Sequence, residues 1–320
     1  MIAVHIPVLL KEAIEGLLEG EGKAFIDCTV GTAGHLLELL SQTKDDVMVI
    51  GIDKDNKSLE VARERLKDFG DRVTLLFGGF EDIDTLIEPL KPPPIAGILF
   101  DLGMSSFQLN NPQRGFSYRE NGPLDMRFNS AQSLSAKELI NESSQENLLQ
   151  LLRKFGEDKW SRRLSRVIVE RRGTEAFETT VELSNFVRRN IPRRAAHKTL
   201  ARVFQALRIT VNNELENLKT GLVKAFNLLK IDGRIAVISY HSLEDRIVKN
   251  FFRILKEAEL AVTGHQRCIR PSKDERMSNR RSRSARLRVI NKRAELTNQM
   301  ILNEYTELET VHESDTEGNE

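Results

Sequence analysis

Cysteine is scarce in this chain. Its 320 residues contain only two, Cys28 and Cys268, and these lie far apart in the sequence. Two isolated thiols form neither a disulfide framework nor a metal-binding spacing, so we expect a reducing environment and predict no metal. Neither thiol has surroundings typical of a catalytic nucleophile, which disfavours chemistry that needs a covalent cysteine adduct.

Long apolar runs are also missing. No apolar segment is long enough to cross a bilayer, and the first residues lack the basic and apolar stretches of a secretion signal. We therefore predict a cytoplasmic protein with no membrane partner. The chain is 40% hydrophobic and 30% charged, which is ordinary for a soluble enzyme with a real core. Its length suggests about two domains.

Basic residues are absent from the last twenty positions. Residues 301–320 carry seven acids and no Lys or Arg, and we predict that this tail is disordered. The net charge of +1 for the whole chain becomes +8 for residues 1–300. The excess lies in residues 109–211, with 19 bases and 11 acids, and in residues 267–293, with 11 bases and two acids. One such region is compatible with solvated helix faces, but two favour a polyanionic partner.

Short apolar runs alternate with helical patterns through the first hundred residues. Alternation of this kind is typical of an α/β fold, a parallel sheet with helices on both faces. The predicted strands are residues 24–28, 47–53, 72–77, 95–101, 232–239 and 285–290. The predicted helices of this part are residues 34–41, 55–68 and 82–90.

A helical segment interrupts the strand pattern between the fourth and fifth strands. Apolar residues recur there at helical spacing. The predicted helices of this segment are residues 135–155, 157–173, 180–190 and 197–229. The predicted organisation is a first α/β part at 1–108, a helical insertion at 109–211, a second α/β part at 212–300, and the acidic tail at 301–320.

The first strand runs into a glycine loop, Asp27-Cys-Thr-Val-Gly-Thr-Ala-Gly-His35, and then into a helix. Free backbone N–H groups at such a helix start can hold a nucleotide-like ligand, and Asp53, ending the second strand, can accept ribose hydroxyls. Thr29 stands where a dinucleotide motif needs its first glycine, which disfavours nicotinamide and flavin dinucleotides. S-adenosylmethionine, which has no phosphate, fits better. The alternative is a turn that simply needs glycine, with Asp53 capping the next helix.

Polar side chains follow the fourth strand. Asp101, Ser105, Ser106 and Gln108 lie on or after its carboxyl end, where doubly wound sheets bind their ligands. We expect this segment to form one wall of the site, although any one of these residues can also serve as a loop cap. His241, at the end of the fifth strand, is either a proton acceptor or a hydrogen-bonded structural histidine.

Several long motifs together resemble one family. In chain order they are Asp27-x-Thr-x-Gly-x-x-Gly-His35, Gly51-x-Asp53, Asp101-Leu-Gly-x-Ser-Ser106, Arg114-Gly-Phe-Ser117, Gly122-Pro-Leu-Asp-Met-Arg127, Phe204-Gln-Ala-Leu-Arg-Ile209, Asn213-Glu-Leu-Glu216, Ser239-x-His-Ser-Leu-Glu-Asp-Arg246 and Arg281-Ser-Arg-Ser-Ala-x-Leu-Arg288. The pattern resembles the bacterial ribosomal small-subunit methyltransferase H family, also called RsmH or MraW, from about residue 5 to about residue 290.

The resemblance implies a class I S-adenosylmethionine-dependent methyltransferase, a Rossmann-like doubly wound sheet with an inserted helical domain. It implies N4-methylation of one cytidine in the decoding region of 16S ribosomal RNA. The implied cofactor contacts are Ala33, Gly34, His35, Asp53, Phe80, Asp101 and Gln108. The family loop is usually Gly-Gly-His, so the methyl group of Ala33 is tolerable only if its φ stays negative and its Cβ points away from the ligand.

The cytosine amine is a poor nucleophile that needs hydrogen-bond acceptors and alignment. We expect Asp101, Ser105 and Ser106 to supply these, with His241 as a proton acceptor. Asp101 has an alternative role, holding the methionine end of the cofactor.

Basic side chains suit phosphate contacts, which position RNA without reading its sequence. The candidates are Arg193, Arg194, Lys198, Arg281 and Arg283. Asp125 and Arg127 either line the substrate cleft or form a turn with an ion pair. A non-catalytic RNA-binding assembly factor is the alternative function, and a monomer and a homodimer remain equally open.

Overall fold

The computed structural model describes residues 7–20, 22–156, 158–264 and 268–295. The predicted disordered tail at 301–320 lies outside these ranges. No helix in the described ranges is long and apolar enough to cross a membrane.

Two compact units divide the chain. The first, which we call the sheet unit, consists of Met1–Gly103 and Leu215–Glu320. The second, the helical unit, is Met104–Glu214. The helical unit therefore begins before and ends after the insertion predicted at 109–211.

The sheet unit is built on seven strands in the order β3-β2-β1-β4-β5-β7-β6. Strands β1 to β5 pair in parallel, whereas β7 runs antiparallel to both β5 and β6. The predicted doubly wound α/β class is confirmed. The strands are β1 Ala24–Asp27, β2 Met48–Asp53, β3 Val73–Phe77, β4 Ile95–Asp101, β5 Leu229–Ser239, β6 Ala261–Thr263 and β7 Arg286–Lys292.

The strand registers bring three carboxylates to one edge of the sheet. Asp27 pairs with Gly51 and Leu99, so β1 ends next to β2 and β4. Asp53 and Asp101 are the last residues of those two strands. Because parallel strands end at a common edge, three acids that are distant in the sequence are gathered there.

Four helices were not predicted, and two long predicted helices are broken. The helices are α1 Leu10–Leu18, α2 Gly34–Gln42, α3 Asn56–Leu66, α4 Ile83–Ile87, α5 Ser106–Leu109, α6 Ala136–Glu142, α7 Gln145–Lys154, α8 Ser161–Arg172, α9 Thr180–Asn190, α10 Ala196–Asn212, α11 Glu214–Leu228, α12 Ser242–Glu257 and α13 Lys273–Ser278. Those that the sequence did not predict are α1, α5, α12 and α13.

Both long predicted helices are broken. The one predicted at 135–155 splits because the Ser144 side chain accepts a hydrogen bond from the N–H of Asn147 and starts a new helix. The one predicted at 197–229 splits at Asn213, whose φ of 50° is left-handed and ends α10. Periodicity alone does not separate two helices that continue one apolar pattern across such a cap.

Two strand predictions also need correction. Strand β5 begins at Leu229 rather than at 232, because Leu229 pairs with Ile95 before the register shifts. Strand β6 was not predicted, since its three residues are too few for an alternating pattern to be recognised.

The helical unit has a core of its own. Its buried apolar side chains include Leu148, Leu164, Phe177 and Leu207. A buried polar side chain, Asn212, holds the turn at 126–128 against α10. Its Oδ1 accepts a hydrogen bond from the N–H of Phe128 at 2.7 Å, and its Nδ2 donates to the carbonyl oxygen of Met126 at 2.8 Å.

Asn212→Asp is expected to destabilise the protein by about 2 kcal/mol or more, because a buried amide donor becomes a carboxylate facing a carbonyl oxygen. Urea unfolding measures the change. Asn185→Asp, the same substitution at an exposed position of α9, is the control and should change stability by less than about 0.5 kcal/mol. Equal effects of the two substitutions would contradict the prediction.

Candidate active site

Thr29 ties the glycine loop to the ends of β1 and β4. Its N–H donates to Asp27 Oδ1 at 3.0 Å, and its Oγ1 accepts the N–H of Asp101 at 2.7 Å. The sequence analysis treated Thr29 only as a missing glycine. Its place within the Asp-x-Thr motif was the available signal, and the structure gives it a role in holding two acidic strand ends together.

Asp53 is held between the glycine loop and the start of α3. Its Oδ2 accepts the N–H of Gly31 at 2.7 Å, and its Oδ1 accepts the N–H of Asp55 at 2.8 Å. The cap of α3 is Asp55, whose side chain accepts the N–H of Lys57. The alternative in which Asp53 caps this helix is therefore wrong, and its carboxylate remains fixed at the tip of β2.

The loop itself departs from the expectation for Ala33. The φ of Ala33 is 65°, so the expectation of a negative φ at this residue is wrong. A side chain in this left-handed region costs roughly 1–2 kcal/mol. The methyl group is fully buried in the core of the sheet unit, and its packing there offsets part of that cost.

Gly34 is required for packing within the protein. A Cβ at this position would lie 2.3 Å from Cγ of Pro7. The first turn of α2 that Gly34 opens receives no side-chain cap, so its backbone N–H groups suit an anionic ligand.

His35 is buried beneath this turn. Its Nε2 lies 3.2 Å from the carbonyl oxygen of Val8, and its Nδ1 lies 3.6 Å from Asp101 Oδ2. Burial lowers the pKa of His35, although the charge of Asp27 opposes the shift. Because the carbonyl oxygen of Val8 can only accept, His35 donates Nε2–H to it.

Asp101 is a half-buried carboxyl group whose pKa is raised towards neutrality. Burial raises its pKa from 3.8 to about 7, despite a hydrogen bond from Tyr240 that acts in the opposite direction. The Tyr240 hydroxyl donates to Oδ1 at 2.7 Å. Burial likewise raises the pKa of Asp27 to about 6. Groups that titrate near 7 can both accept and release protons at physiological pH.

Tyr240 was missed by the sequence analysis, although it directly follows β5 at the carboxyl edge. His241, the next residue, caps α12: its Nδ1 accepts the N–H of Glu244 at 3.3 Å. In return the Glu244 carboxylate accepts the N–H of Tyr240 at 2.7 Å. The structural alternative for His241 is thus present, and its role as proton acceptor stays a prediction.

The predicted aromatic contact, Phe80, follows β3. Its ring meets that of Phe100 in β4 edge-on, with centroids 5.4 Å apart. Lys54 Nζ lies 5.9 Å from the Phe80 centroid. The structure thus places Phe80 beside strand β4, in the same unit as the glycine loop and the three acids.

The remaining predicted wall residues belong to the helical unit. Gln108 is 4% exposed and donates its N–H to Ser105 Oγ at 3.2 Å, while Ser105 N–H donates to Gln108 Oε1 at 3.0 Å. Ser106 begins α5. This reciprocal pair orders the loop, and the cofactor and catalytic roles of the three residues stay predictions.

Asp125 and Arg127 form a bidentate ion pair. Arg127 Nε and Nη2 donate to Asp125 Oδ1 and Oδ2 at 2.9 and 2.8 Å, and its Nη1 donates to the carbonyl oxygen of Gln132 at 2.6 Å. The turn with an ion pair, weighed in the sequence analysis, is thus what the structure contains. A substrate role for the pair stays a prediction.

The predicted phosphate-binding residues are mostly accessible. Arg193 and Arg194 are exposed between α9 and α10, and Lys198 is exposed in the first turn of α10. In the sheet unit Arg283 is exposed, whereas Arg281 is half-buried. The two groups lie in different units, so each offers its own basic surface.

A parallel sheet in this strand order, with a reversed strand near one end, a glycine loop after β1 and acids ending β1, β2 and β4, defines a class I methyltransferase. The sequence model of the MraW methylase family matches residues 2–293 of this chain. The chain belongs to that family and is a methyltransferase, as the resemblance implied.

Two curated relatives show the extent of the similarity. Ribosomal RNA small subunit methyltransferase H of Clostridium botulinum (strain Kyoto / Type A2) is 41% identical over 306 residues, covering 90% of this chain and 98% of the relative. The protein of the same name from Thermotoga neapolitana is 43% identical over 291 residues, covering 89% and 95%. A solved putative rRNA-methylase from Clostridium thermocellum is 14% identical with a TM-score of 0.46, covering 92% of this chain and 100% of its own.

The strain at Ala33 predicts opposite responses to two substitutions. Ala33→Val should destabilise the protein by more than about 2 kcal/mol, because a β-branched side chain is worse than alanine at positive φ. Ala33→Gly should stay within about 1 kcal/mol of the unsubstituted protein, because relief of strain offsets the lost methyl packing. Denaturant unfolding measures both. A tolerated valine would contradict the left-handed conformation.

The raised pKa of Asp101 predicts a pH-dependent stability. Between 3.8 and about 7 the folded protein holds a proton that the unfolded chain has lost, so this group's contribution falls as pH rises. The fall is at most ~1.4 kcal/mol per pH unit and ends above pH 7. Asp101→Asn keeps an acceptor for Tyr240 and removes the titration. The free energy of unfolding of this variant, relative to that of the unsubstituted protein, should therefore rise from pH 5 to pH 7. Asp68→Asn, at an exposed site, is the control. A pH-independent difference for Asp101→Asn would contradict the shift.

Proposed function

We propose that this protein transfers the methyl group of S-adenosylmethionine to N4 of one cytidine in the decoding region of 16S rRNA, within the small ribosomal subunit in the cytoplasm. The observation that carries the chemistry is the place of Asp101, a half-buried carboxyl group that accepts the Tyr240 hydroxyl and whose pKa is raised to about 7, at the carboxyl edge of a methyltransferase sheet. The name of the relatives, ribosomal RNA small subunit methyltransferase H, supports the choice of RNA.

The residues at this edge suit S-adenosylmethionine. The uncapped first turn of α2 at Gly34 and His35 offers backbone N–H groups to the methionine carboxylate, beside Ala33. Asp53 at the tip of β2 suits the ribose hydroxyls, and Phe80 suits the adenine face. When bound, this cofactor supplies an electrophilic methyl group on a sulfonium.

Asp101 accepts a hydrogen bond from the cytosine amine and orients its lone pair toward the methyl group. Transfer of the methyl group from a sulfonium held by these residues would form the N–C bond as the C–S bond breaks, and would leave the amine nitrogen cationic. It then loses one proton, which Asp101 can take because its pKa lies near 7. Tyr240 fixes the orientation of the carboxylate through its hydrogen bond to Oδ1. In the alternative role, Asp101 binds the methionine ammonium and the proton passes to water.

The other predicted residues complete the proposal. Ser105 and Ser106 supply further acceptors, Gln108 contacts the cofactor, and His241 is a second proton acceptor. RNA contacts are assigned to the helical unit and to the basic end of the sheet unit. These are Asp125, Arg127, Arg193, Arg194, Lys198, Arg281 and Arg283.

Methyl transfer to small ribosomal subunits from cells lacking this protein tests the function. We expect labelled methyl from S-adenosylmethionine to enter the RNA, and mass mapping to locate N4-methylcytidine at one site. Subunits from cells that contain the protein are the control and should accept no label. Binding of the subunits without transfer would instead support an assembly factor, and methylation elsewhere would overturn the assigned base.

Asp101→Ala is expected to lower kcat by about 100-fold or more, because an acceptor and its alignment are lost. Calorimetric titration with S-adenosylmethionine separates the two roles of Asp101. An unchanged Kd with a lower kcat indicates contact with the amine, whereas a weaker Kd indicates contact with the methionine end. Asp68→Ala is the exposed control. Full activity of Asp101→Ala would remove this residue from the site.

A further inference from the structure

A basic cleft lies beside the carboxyl end of β5 in the sheet unit. Its volume is about 170 Å³, and the lining residues that the structure describes include no acid. Four arginines and two serines line this space, which is large enough for a phosphodiester group. These are Arg270, Arg276, Arg283, Arg286, Ser242 and Ser284.

Backbone pairing brings the first and last of these arginines together. Ile269 and Leu287 exchange both N–H to carbonyl hydrogen bonds, at 2.8 and 2.9 Å. Arg270 and Arg286 directly adjoin this pair. The cleft is therefore built on ordered backbone, since the entry into β7 fixes the spacing of two of its cations.

The positive charge of the cleft is only partly neutralised. Arg286 shares Asp245 with Arg288, and their hydrogen bonds hold the pKa of Asp245 below its usual range although burial opposes the shift. Arg276 and Arg283 donate Nε–H to backbone carbonyl oxygens at 3.3 and 3.4 Å, contacts that do not neutralise a guanidinium. Among the described residues no carboxylate forms an ion pair with these two or with Arg270.

One side chain connects the cleft to the candidate active site. Tyr240 lines the cleft, and its hydroxyl donates to Asp101. An anion held by the arginines therefore lies one side chain away from the carboxyl group assigned to the target amine. A nucleotide carries its base and its phosphate on a single ribose, so both can be held across this short distance.

We propose that the cleft binds a backbone phosphate of the RNA, at or next to the nucleotide whose base enters the active site. This proposal rests on the proposed function for the identity of that nucleotide. The cleft supplies binding energy that helps to hold the nucleotide out of its stack, and it reads no sequence.

The salt dependence of RNA binding tests the cleft independently of methyl transfer. The probe is a fluorescein-labelled oligouridylate, which contains no cytidine, and polarisation is measured at several salt concentrations. The double variant Arg270→Gln/Arg276→Gln should weaken binding about tenfold at low salt, and each lost contact should reduce the slope of log K against log salt by about 0.7. Lys44→Gln/Arg63→Gln removes the same charge from exposed positions outside the cleft lining and should leave the slope unchanged.

Equal slopes for the two double variants would overturn the proposal. Tighter binding of polyglutamate than of oligouridylate of equal charge would also overturn it, in favour of an acidic protein partner. Denaturant unfolding and S-adenosylmethionine titration of each variant confirm that the fold and cofactor site persist. Methyl transfer by the cleft variant should show a raised KM with a retained kcat.

The two proposals fail in distinguishable ways. If the cleft variant reduces the slope of log K against log salt but the unsubstituted protein methylates no RNA, the phosphate site is supported and the proposed function is refuted. If the unsubstituted protein methylates RNA and the cleft variant has an unchanged slope and an unchanged KM, the proposed function is supported and the phosphate site is refuted.

Discussion

The candidate site depends on the cost of gathering carboxylates at one partly buried edge. Parallel pairing brings the ends of β1, β2 and β4 together, and each ends in an aspartate. Charges of one sign that have lost their water are unstable unless hydrogen bonds or protons compensate. The local structure provides both, through N–H groups of the glycine loop that donate to Asp27 and Asp53, the Tyr240 hydroxyl that donates to Asp101, and the raised pKa values of Asp27 and Asp101.

These compensating groups make the edge responsive to a cationic ligand. A neutral Asp101 is tolerated in the ligand-free protein, but a sulfonium or ammonium nearby favours the ionised carboxylate. In the proposed reaction, ligand binding and proton release are coupled, and Asp101 takes a proton once positive charge has developed on the substrate nitrogen. The ordering of Asp101 by Tyr240 keeps that acceptor in one direction while its charge changes.

The fold class followed from patterns that depend on neighbouring residues. Buried parallel strands are continuous apolar runs, and the acids that end them are visible in the sequence, so Asp53 and Asp101 could be located in advance. The conformation of Ala33 could not, because its packing outweighs the ordinary preference of alanine for negative φ. The Asp-x-Thr motif marks Thr29, but the partners of Thr29 and Tyr240 could not be predicted, since their hydrogen bonds join strands far apart in sequence. The breaks before α7 and after α10 are set by single capping residues within an unbroken periodicity.

The reversed direction of β7 has a topological consequence. After each parallel strand, the residues that reach the binding edge are those that follow the strand. A crossover must then return the chain to the opposite edge of the sheet before the next parallel strand begins. An antiparallel strand starts at that edge, so the residues that precede it are delivered there instead. The basic turn before Arg286 thus reaches the reactive edge without an additional connection. Changes in this late segment of the chain can therefore alter the ligand contacts at the edge, while the strands that carry the three aspartates stay unaltered.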